Sequence, residues 1–389
     1  MTKPFESAPS SGSGVTSQSV SDLLTVILTT SVTPSAPSTE LIEAILQSFQ
    51  RHCPSLTSCR VIVVFDSYDQ IVPQARLKRG QVTAEQASNF DLYKVNVRKL
   101  VLEQYFPGQS EEEVPLSVIK GKAEFGSPCI VTNSVPFEAR QTSDKQVTFI
   151  EPSRRLGFGL AVREALRLTE TPYVFVAQHD WSIIADIPIE NMLRVMQTSE
   201  SDPAVPIKYV CLPAVRMLSY AAHADVIRHR ALRELTSTLK RDFPVPSLSI
   251  SSESSGPEEA EESGTTASVP LTPMFFWHDK PHICSTAHYL ARVFPSRLAM
   301  LRGDFIEDKI GQRARTQMKE GLWSKWATWL YYPDDGKQLC LRHLHGRTWR
   351  GTEGEERKLA LYRAQNGIAN PTDEDSTSQA TCSPDLVPN

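Results

Sequence analysis

The hydrophobic positions near the start of the chain fall into two kinds of segment. Continuous apolar runs of strand length, Leu23–Thr30 and Val61–Phe65, flank a stretch in which apolar residues recur at helical spacing after Ser38. The apolar face of that stretch consists of Leu41, Ile42, Ile45, Leu46 and Phe49. Because a strand is apolar throughout only when both of its faces are buried, this order predicts a parallel sheet covered by helices.

A second unit of the same kind follows further along the chain. The segment 146–153 (QVTFIEPS) has the composition of a strand, 157–170 (GFGLAVREALRLTE) has the spacing of a helix, and 172–181 (PYVFVAQHDW) is an apolar strand that ends in charge. A later helix is predicted over Ile306–Glu320, and Leu339–Gly346 is a last strand or a loop. Together these units predict an α/β fold with a Rossmann-type, mostly parallel sheet flanked by helices.

Composition sets three segments apart from this pattern. Residues 1–20 and 369–389 are rich in small and polar residues, and residues 247–272 contain five Glu and no Lys or Arg. Such segments bury too little apolar surface to offset their ordering entropy, so we predict two disordered tails and one disordered insertion. A single domain would then span 21–368, with halves at about 21–185 and 186–368. The competing interpretation of the acidic segment is a linker between two domains.

Charge and cysteine content argue against several classes of protein. The net charge of the 389-residue chain is −4 and no long Lys/Arg run occurs, so nucleic-acid binding is not expected. The seven cysteines include no C-x-x-C pair, which argues against a zinc site or a disulfide framework and favours a reducing compartment. No apolar stretch is long enough to span a bilayer and no signal-peptide core precedes the first strand, so a cytoplasmic location is expected.

Two of the apolar strands end in an acid, at Asp66 and at Asp180. Ligands of open α/β sheets bind outside the carboxyl ends of the strands, so both carboxylates are expected at one polar edge. Mn²⁺ or Mg²⁺ held by one or two carboxylates completes its shell with substrate phosphates, which suits a nucleoside diphosphate. The alternative is structural: Asp66 opens a turn and Asp180 caps the next element.

The segments that carry this pattern resemble family-2-type glycosyltransferases of the GT-A fold over roughly residues 23–185. LLTVILTT with its helix resembles the family's opening unit, VIVVFDSYD its second strand, and GFGLAVREALRLTETPYVFVAQHD its glycine-led helix and metal-motif strand. The resemblance implies a GT-A-like sheet, with the nucleotide-sugar half at about 21–185 and the acceptor and catalytic half at about 186–368. It also implies a nucleoside-diphosphate-sugar donor, contacted by Thr29, Thr30 and Asp66. Asp180 would support the metal and the diphosphate.

The sequence departs from the family pattern at two places. Gln178-His179-Asp180 stands where the family has Asp-x-Asp, and Asp66-Ser67-Tyr68-Asp69 replaces a doubled acid followed by Gly. In place of the missing first acid, His179 is a candidate ligand or phosphate donor.

Several arginines are candidates for contact with the diphosphate. Arg155 and Arg163 lie just before and within the glycine-led helix, and Arg347 follows the late histidines. Arginine forks match phosphate oxygens, and a helix N-terminus offers backbone N–H groups to an anion. The alternative is that these are ordinary exposed arginines of an amphipathic helix.

The second half supplies the candidates for the base and for further metal ligands. The segment GDFIEDKIGQ, with Glu307 and Asp308, resembles the place where inverting GT-A enzymes keep the acid that deprotonates the acceptor hydroxyl; the alternative is helix capping. His343 and His345 alternate, so on a strand both face the same way. A late histidine joins the metal shell in several GT-A enzymes, which makes these two the candidates beside Asp180.

The leading hypothesis is therefore a glycosyltransferase that moves a sugar from a nucleoside-diphosphate sugar to a sugar, lipid or protein acceptor, with inversion. A non-catalytic nucleotide- or sugar-binding protein on the same fold is the first alternative, and a sugar-1-phosphate nucleotidyltransferase is the second. The sequence does not contain the glycine-rich signature, with a lysine near the N-terminus, that is expected of a nucleotidyltransferase.

Overall fold

The computed structural model describes residues 18–109, 113–246 and 267–365. The expected disordered segments lie largely outside these residues, as far as residue 17 at the start, over 247–266 within the chain, and from residue 366 onwards. The end of the predicted insertion does lie inside them: Ser268–Pro273 forms a strand of the main sheet, so the segment predicted to be disordered does not extend to residue 272.

The helices and strands of the described residues follow the order of the predicted units. The strands are β1 (Leu24–Ser31), β2 (Arg60–Asp66), β3 (Gln70–Ile71), β4 (Gln81–Val82), β5 (Leu116–Glu124), β6 (Ser134–Thr142), β7 (Val147–Pro152), β8 (Tyr173–Gln178), β9 (Trp181–Ile183), β10 (Tyr209–Cys211), β11 (Arg241–Pro244), β12 (Ser268–Pro273), β13 (His282–Ser285), β14 (Thr328–Tyr331) and β15 (Leu341–His343). The helices are α1 (Val20–Leu23), α2 (Glu40–His52), α3 (Ala84–Tyr105), α4 (Phe158–Leu168), α5 (Ile189–Ser199), α6 (Ala224–Arg228), α7 (Arg230–Leu239), α8 (Thr286–Val293), α9 (Gln312–Lys319), α10 (Trp323–Trp326) and α11 (Thr352–Gln365).

One 11-stranded sheet dominates the described fold, in the order β11-β12-β14-β10-β13-β8-β1-β2-β7-β6-β5. Its centre, β8-β1-β2-β7, is parallel throughout. Strands β6, β12 and β13 run opposite to the other eight strands. The predicted α/β fold with a mostly parallel sheet flanked by helices is therefore confirmed.

The central strands are buried because their sequences are apolar on both faces. All of β8 except its last residue is buried, and α4 packs against β1 and β2. Helix α2 meets β8 through an edge contact between Phe49 and Phe175, whose ring centroids lie 5.7 Å apart. Two layers of helix thus enclose a sheet whose polar residues are concentrated where its strands end.

The second half differs from the prediction in detail. The segment predicted as one helix begins with a π-helical turn, Glu307–Gly311, and continues as α9. Strand β15 ends at His343 and pairs with β9 in a separate two-stranded sheet. None of the helices in the described parts of the chain is long and apolar enough to cross a bilayer.

Candidate functional site

The carboxyl ends of three central strands meet at one edge of the main sheet. Strand β1 lies between β2 and β8, with Ser31 opposite Asp66 and Thr29 opposite Gln178. His179 and Asp180 follow directly after β8. The two acids that end apolar strands are thus delivered to the same edge, separated by the end of β1.

A cleft opens at this edge and has two adjoining halves. One half is lined by Thr29, Thr30, Asp66, Arg155, His179 and Arg347. The other half is lined by Asp180, Glu307, Asp308, His343, His345, His179 and Arg347. Because His179 and Arg347 belong to both walls, the halves form one continuous cleft. The fold therefore brings together every residue singled out in the sequence except Arg163.

Arg163 does not reach the cleft, contrary to the expectation from the sequence. Its side chain is 1% exposed, and its guanidinium pairs with Glu164 and donates to the carbonyl of Glu124. Helix α4 buries both members of this ion pair, because each packs on the side that faces the protein. The guanidinium neutralises the adjacent carboxylate and is not available to a phosphate.

Asp66 is held by the backbone that leads into α4. Oδ1 accepts the N–H of Leu156 at 2.6 Å, and Oδ2 accepts the N–H of Gly157 at 3.1 Å. Burial raises the pKa of Asp66 to about 6, against the opposing effect of these amides and of Arg155. The amides expected to meet a substrate anion are thus already occupied by the protein's own carboxylate, and these bonds join Asp66 to a remote segment rather than closing a turn at Asp66 itself.

His179, the middle residue of Gln178-His179-Asp180, is a neutral imidazole. Its Nδ1 accepts the N–H of Ser31 at 3.3 Å, so the proton of the neutral ring lies on Nε2. The Thr30 hydroxyl lies 2.7 Å from Nδ1 and 2.7 Å from the hydroxyl of Tyr93, which forms a buried chain of three polar side chains. Burial lowers the pKa of His179. The ring is therefore a fixed, uncharged part of the cleft floor.

Asp180 is an ionised group tied to the chain that crosses the cleft. Its Oδ2 accepts the Nε2 proton of His343 at 3.2 Å and the N–H of Gly346 at 3.1 Å, and its carbonyl accepts the N–H of Leu344 at 2.7 Å. Burial alone would raise the pKa of Asp180, but the hydrogen bonds from His343 and Gly346 and the electrostatic interaction with the two neighbouring imidazole groups outweigh it and hold the pKa at about 2.

The expected metal ligands lie together but do not form a metal site. His343 ends its strand and His345 has a left-handed backbone at φ 55°, so they are not alternate residues of one strand; their rings nevertheless approach to 4.3 Å. His343 Nε2 points its proton at Asp180, whereas a metal requires the nitrogen lone pair. Among the described residues, no group of three or more His, Cys, Asp or Glu side chains is placed to hold a metal ion.

Glu307 and Asp308 both line the cleft but differ in their surroundings. Glu307 lies 3.3 Å from His278 Nδ1 and 3.4 Å from Lys280 Nζ, and it accepts the N–H of Asp279 at 3.2 Å. Burial would raise the pKa of Glu307, but these partners lower it to about 2. Asp308 is exposed and makes no ion pair within the described parts of the chain. Of the two carboxylates, Asp308 is the one whose oxygens are open to a ligand.

Sequence reasoning missed Asp279 and Lys280, which line the same half of the cleft. In the segment WHDKPHICSTAHY, the residues whose type most often indicates a ligand site are the histidines, not the Asp-Lys pair between them. The remaining signal was an Asp-Lys pair directly before a buried strand. That signal is weak, since the partner of both residues, Glu307, lies in a distant segment.

No protein-family model matches this sequence, and the comparison with curated proteins finds no match. Among solved structures, S. aureus TarS 1-349 is 9% identical with a TM-score of 0.35, covering 91% of this chain and 76% of that one. Mannosyltransferase PcManGT from Pyrobaculum calidifontis, in complex with GDP-Man and Mn²⁺, is 12% identical with a TM-score of 0.33, covering 81% and 58%. UTP-bound UGPase from Acinetobacter baumannii is 11% identical with a TM-score of 0.31, covering 88% and 94%. TM-scores this low carry no argument about the function of this chain.

Proposed function

We propose that this chain is a glycosyltransferase on a GT-A-like scaffold, which transfers a sugar from a nucleoside-diphosphate sugar to an acceptor hydroxyl with inversion. One observation carries the proposal. Two cations without an ion-pair partner among the described residues, Arg155 and Arg347, line the donor half of a cleft whose other half presents an open carboxylate, Asp308. An anion and a hydroxyl bound in the two halves would lie side by side.

The donor half suits a diphosphate because of these two guanidinium groups. Arginine binds phosphate oxygens through two parallel N–H donors, and it remains charged at any pH at which the protein folds. Arg347 also lies over the ring of Phe305, 5.5 Å from its centroid, which fixes the guanidinium at the boundary between the halves. The neutral His179 beside it adds no competing charge. In the proposal, Arg155 and Arg347 hold the diphosphate, and Thr29 and Thr30 complete the wall.

The acceptor half supplies the base. In the transfer, the acceptor oxygen forms a bond to the anomeric carbon while the bond from that carbon to the phosphate oxygen breaks, and the electron pair leaves with the diphosphate. Asp308 takes the hydroxyl proton, because Glu307 is occupied by Lys280, His278 and a backbone amide. Arg347 stabilises the charge that develops on the leaving diphosphate. No step is assigned to Mn²⁺ or Mg²⁺, because the donors near Asp180 do not fit one in their present arrangement.

Calorimetry with a panel of UDP- and GDP-sugars, with and without Mn²⁺, tests the donor half, and donor hydrolysis in the presence of candidate sugar, lipid and protein acceptors tests transfer. We expect Asp308→Asn to abolish turnover while the donor still binds. Binding without turnover, indifferent to Asp308→Asn, would instead identify a non-catalytic nucleotide- or sugar-binding protein. Release of pyrophosphate from a nucleoside triphosphate and a sugar 1-phosphate would identify a nucleotidyltransferase.

A further inference from the structure

Asp279 is a buried carboxyl group in the wall of the acceptor half with one oxygen unused. It lies in the loop between β12 and β13, and its side chain is 6% exposed. Oδ1 accepts the N–H of Glu307 at 3.0 Å, whereas Oδ2 is buried and has no hydrogen-bond partner within the described residues. An unpartnered, fully buried carboxylate oxygen is rare in a folded protein, because its desolvation is not compensated.

Asp279 and Glu307 hold each other through their backbones. Glu307 Oε2 accepts the N–H of Asp279 at 3.2 Å, which is the reciprocal of the bond from the Glu307 N–H to Asp279 Oδ1. The two carboxyl groups are therefore fixed side by side at the π-helical turn that begins at Glu307. A π-helical turn inside a helix is uncommon and is found mostly at functional sites. Asp308, the proposed base, is the second residue of this turn.

The surroundings favour a negative charge on only one member of the pair. Lys280 and His278 both contact Glu307, whereas neither makes a hydrogen bond or ion pair with the side chain of Asp279. Burial, with the adjacent charge of Glu307, raises the pKa of Asp279 well above its ordinary value. Two neighbouring carboxylates do not both ionise readily when one lacks solvent and a counter-charge. Among the described residues, Asp279 interacts electrostatically with five titratable groups. Glu307, Asp308 and Lys280 lie on the cleft side, and Tyr289 and Cys211 lie on the core side.

We propose that the Asp279–Glu307 pair carries a single proton at neutral pH, that this proton resides on Asp279, and that Asp279 is thereby a positioning residue for the turn that presents Asp308. The catalytic part of this inference rests on the proposed function; the location of the proton does not. With the proton in place, the pair has one negative charge on Glu307, which Lys280 balances and the neighbouring His278 Nδ1 stabilises by hydrogen bonding. Loss of the proton would add a second, uncompensated charge beside Glu307 and push the two segments apart.

Infrared difference spectroscopy on the full chain tests the location of the proton. We expect a carbonyl stretch of a protonated carboxylic acid at neutral pH, absent in Asp279→Asn and retained in Asp225→Asn, which alters a carboxylate paired with Arg315 far along the chain from the cleft loop. Glu307→Gln removes the neighbouring charge, so the band should lose its proton at lower pH than in the unmodified chain. Absence of the band at neutral pH, or its persistence in Asp279→Asn, would overturn the proposal. Should Asp279→Asn not fold, the downward shift in Glu307→Gln decides the question, and an unchanged midpoint overturns it.

A pH profile of turnover separates this inference from the proposed function. We expect the kcat of the unmodified chain to fall on the alkaline side, and this fall to disappear in Asp279→Asn, whose amide cannot ionise and whose carbonyl oxygen still accepts the Glu307 N–H. A merely structural role would lower kcat at every pH without altering the shape of the profile, and that result would overturn the positioning role. If the infrared band behaves as expected but no donor is turned over, the proposed function fails and the protonated pair stands.

Discussion

Gly346 lies directly against the imidazole of His179. A Cβ atom at position 346 would come within 2.7 Å of His179 Nε2 and 3.1 Å of the Asp180 Cβ. The backbone at this glycine needs no special φ, so the residue is required for space alone. The chain after β15 can thus donate its Gly346 N–H to Asp180 only because no side chain stands between them.

We expect Gly346→Ala to lift this segment from the cleft floor. Overpacking of a close contact costs about 1–3 kcal/mol, and here the strain falls on hydrogen bonds to Asp180 rather than on the sheet. Donor affinity measured by calorimetry should fall, and the thermal unfolding midpoint should fall with it, because the hydrogen bonds to Asp180 also stabilise the fold. Gly354→Ala in α11, where a Cβ meets only Arg350 at 3.0 Å, is the matched control. Equal effects of the two substitutions would contradict this account.

Arg347→Ala should weaken donor binding. A charged hydrogen bond contributes about 1.5–3 kcal/mol, so the dissociation constant is expected to rise by about one to two orders of magnitude. Arg342→Ala is the control, because Arg342 is exposed on β15 and lines neither half of the cleft. Calorimetry with the best donor of the panel measures both. If the two arginines prove equivalent, the diphosphate does not bind at the boundary between the halves.

Ionised Asp180 should stabilise the fold, and this stabilisation should be lost at acidic pH. Its folded pKa of about 2 lies below the ordinary value of 3.8, so the carboxylate contributes stability above about pH 4, and this is lost as the pH falls towards 2. The size of the effect is about 2 kcal/mol. Urea unfolding over this range should show a steep loss of stability that Asp180→Asn makes shallower. A variant with the same slope as the unmodified chain would show that His343 does not favour the ionised form.

Asp66 should give the stability of the fold the opposite pH dependence to that from Asp180. Its folded pKa of about 6 lies above the ordinary value of 3.8, so the native state binds the extra proton and stability declines as the pH rises from about 4 to about 6. The expected decline is about 3 kcal/mol. Asp66→Asn should abolish it, whereas Asp91→Asn, an exposed carboxylate on α3 paired with Lys94, should not. Chemical unfolding at a series of pH values provides the measurement.

The central sheet was predictable because strands that are buried on both faces have nearly continuous apolar sequences. Residues 61–65 of β2 and 173–177 of β8 are uninterrupted apolar runs, and the acids that end or follow these strands, Asp66 and Asp180, mark where each strand leaves the core. Parallel strands place such ends together, so the shared edge of Asp66 and Asp180 followed from local sequence and a general rule of sheets. The late strand was ambiguous because only three residues, Leu341–His343, take part in it.

The contacts inside the cleft were not predictable, because each depends on a partner remote in sequence or hidden in a helix. Arg163 was expected at a phosphate because a periodic pattern does not reveal that its neighbour Glu164 is buried with it. Asp66 was expected to meet the nucleoside, yet the amides that hold it belong to residues 156 and 157. Asp279 drew no attention because its significance depends on Glu307.

The segment after β15 is fastened to the first large helix of the fold: Thr352 donates its N–H at 2.6 Å and its hydroxyl at 3.0 Å to Glu40 Oε2 at the start of α2. During synthesis, α2 and the central strands emerge from the ribosome long before residues 346–352. Contacts that join such distant parts of a chain form late and slow the approach to the native state. A nascent chain can therefore form the parallel centre of its sheet while its cleft still lacks a wall, and a chaperone that holds the emerging protein would delay ligand binding more than it delays folding of these central strands.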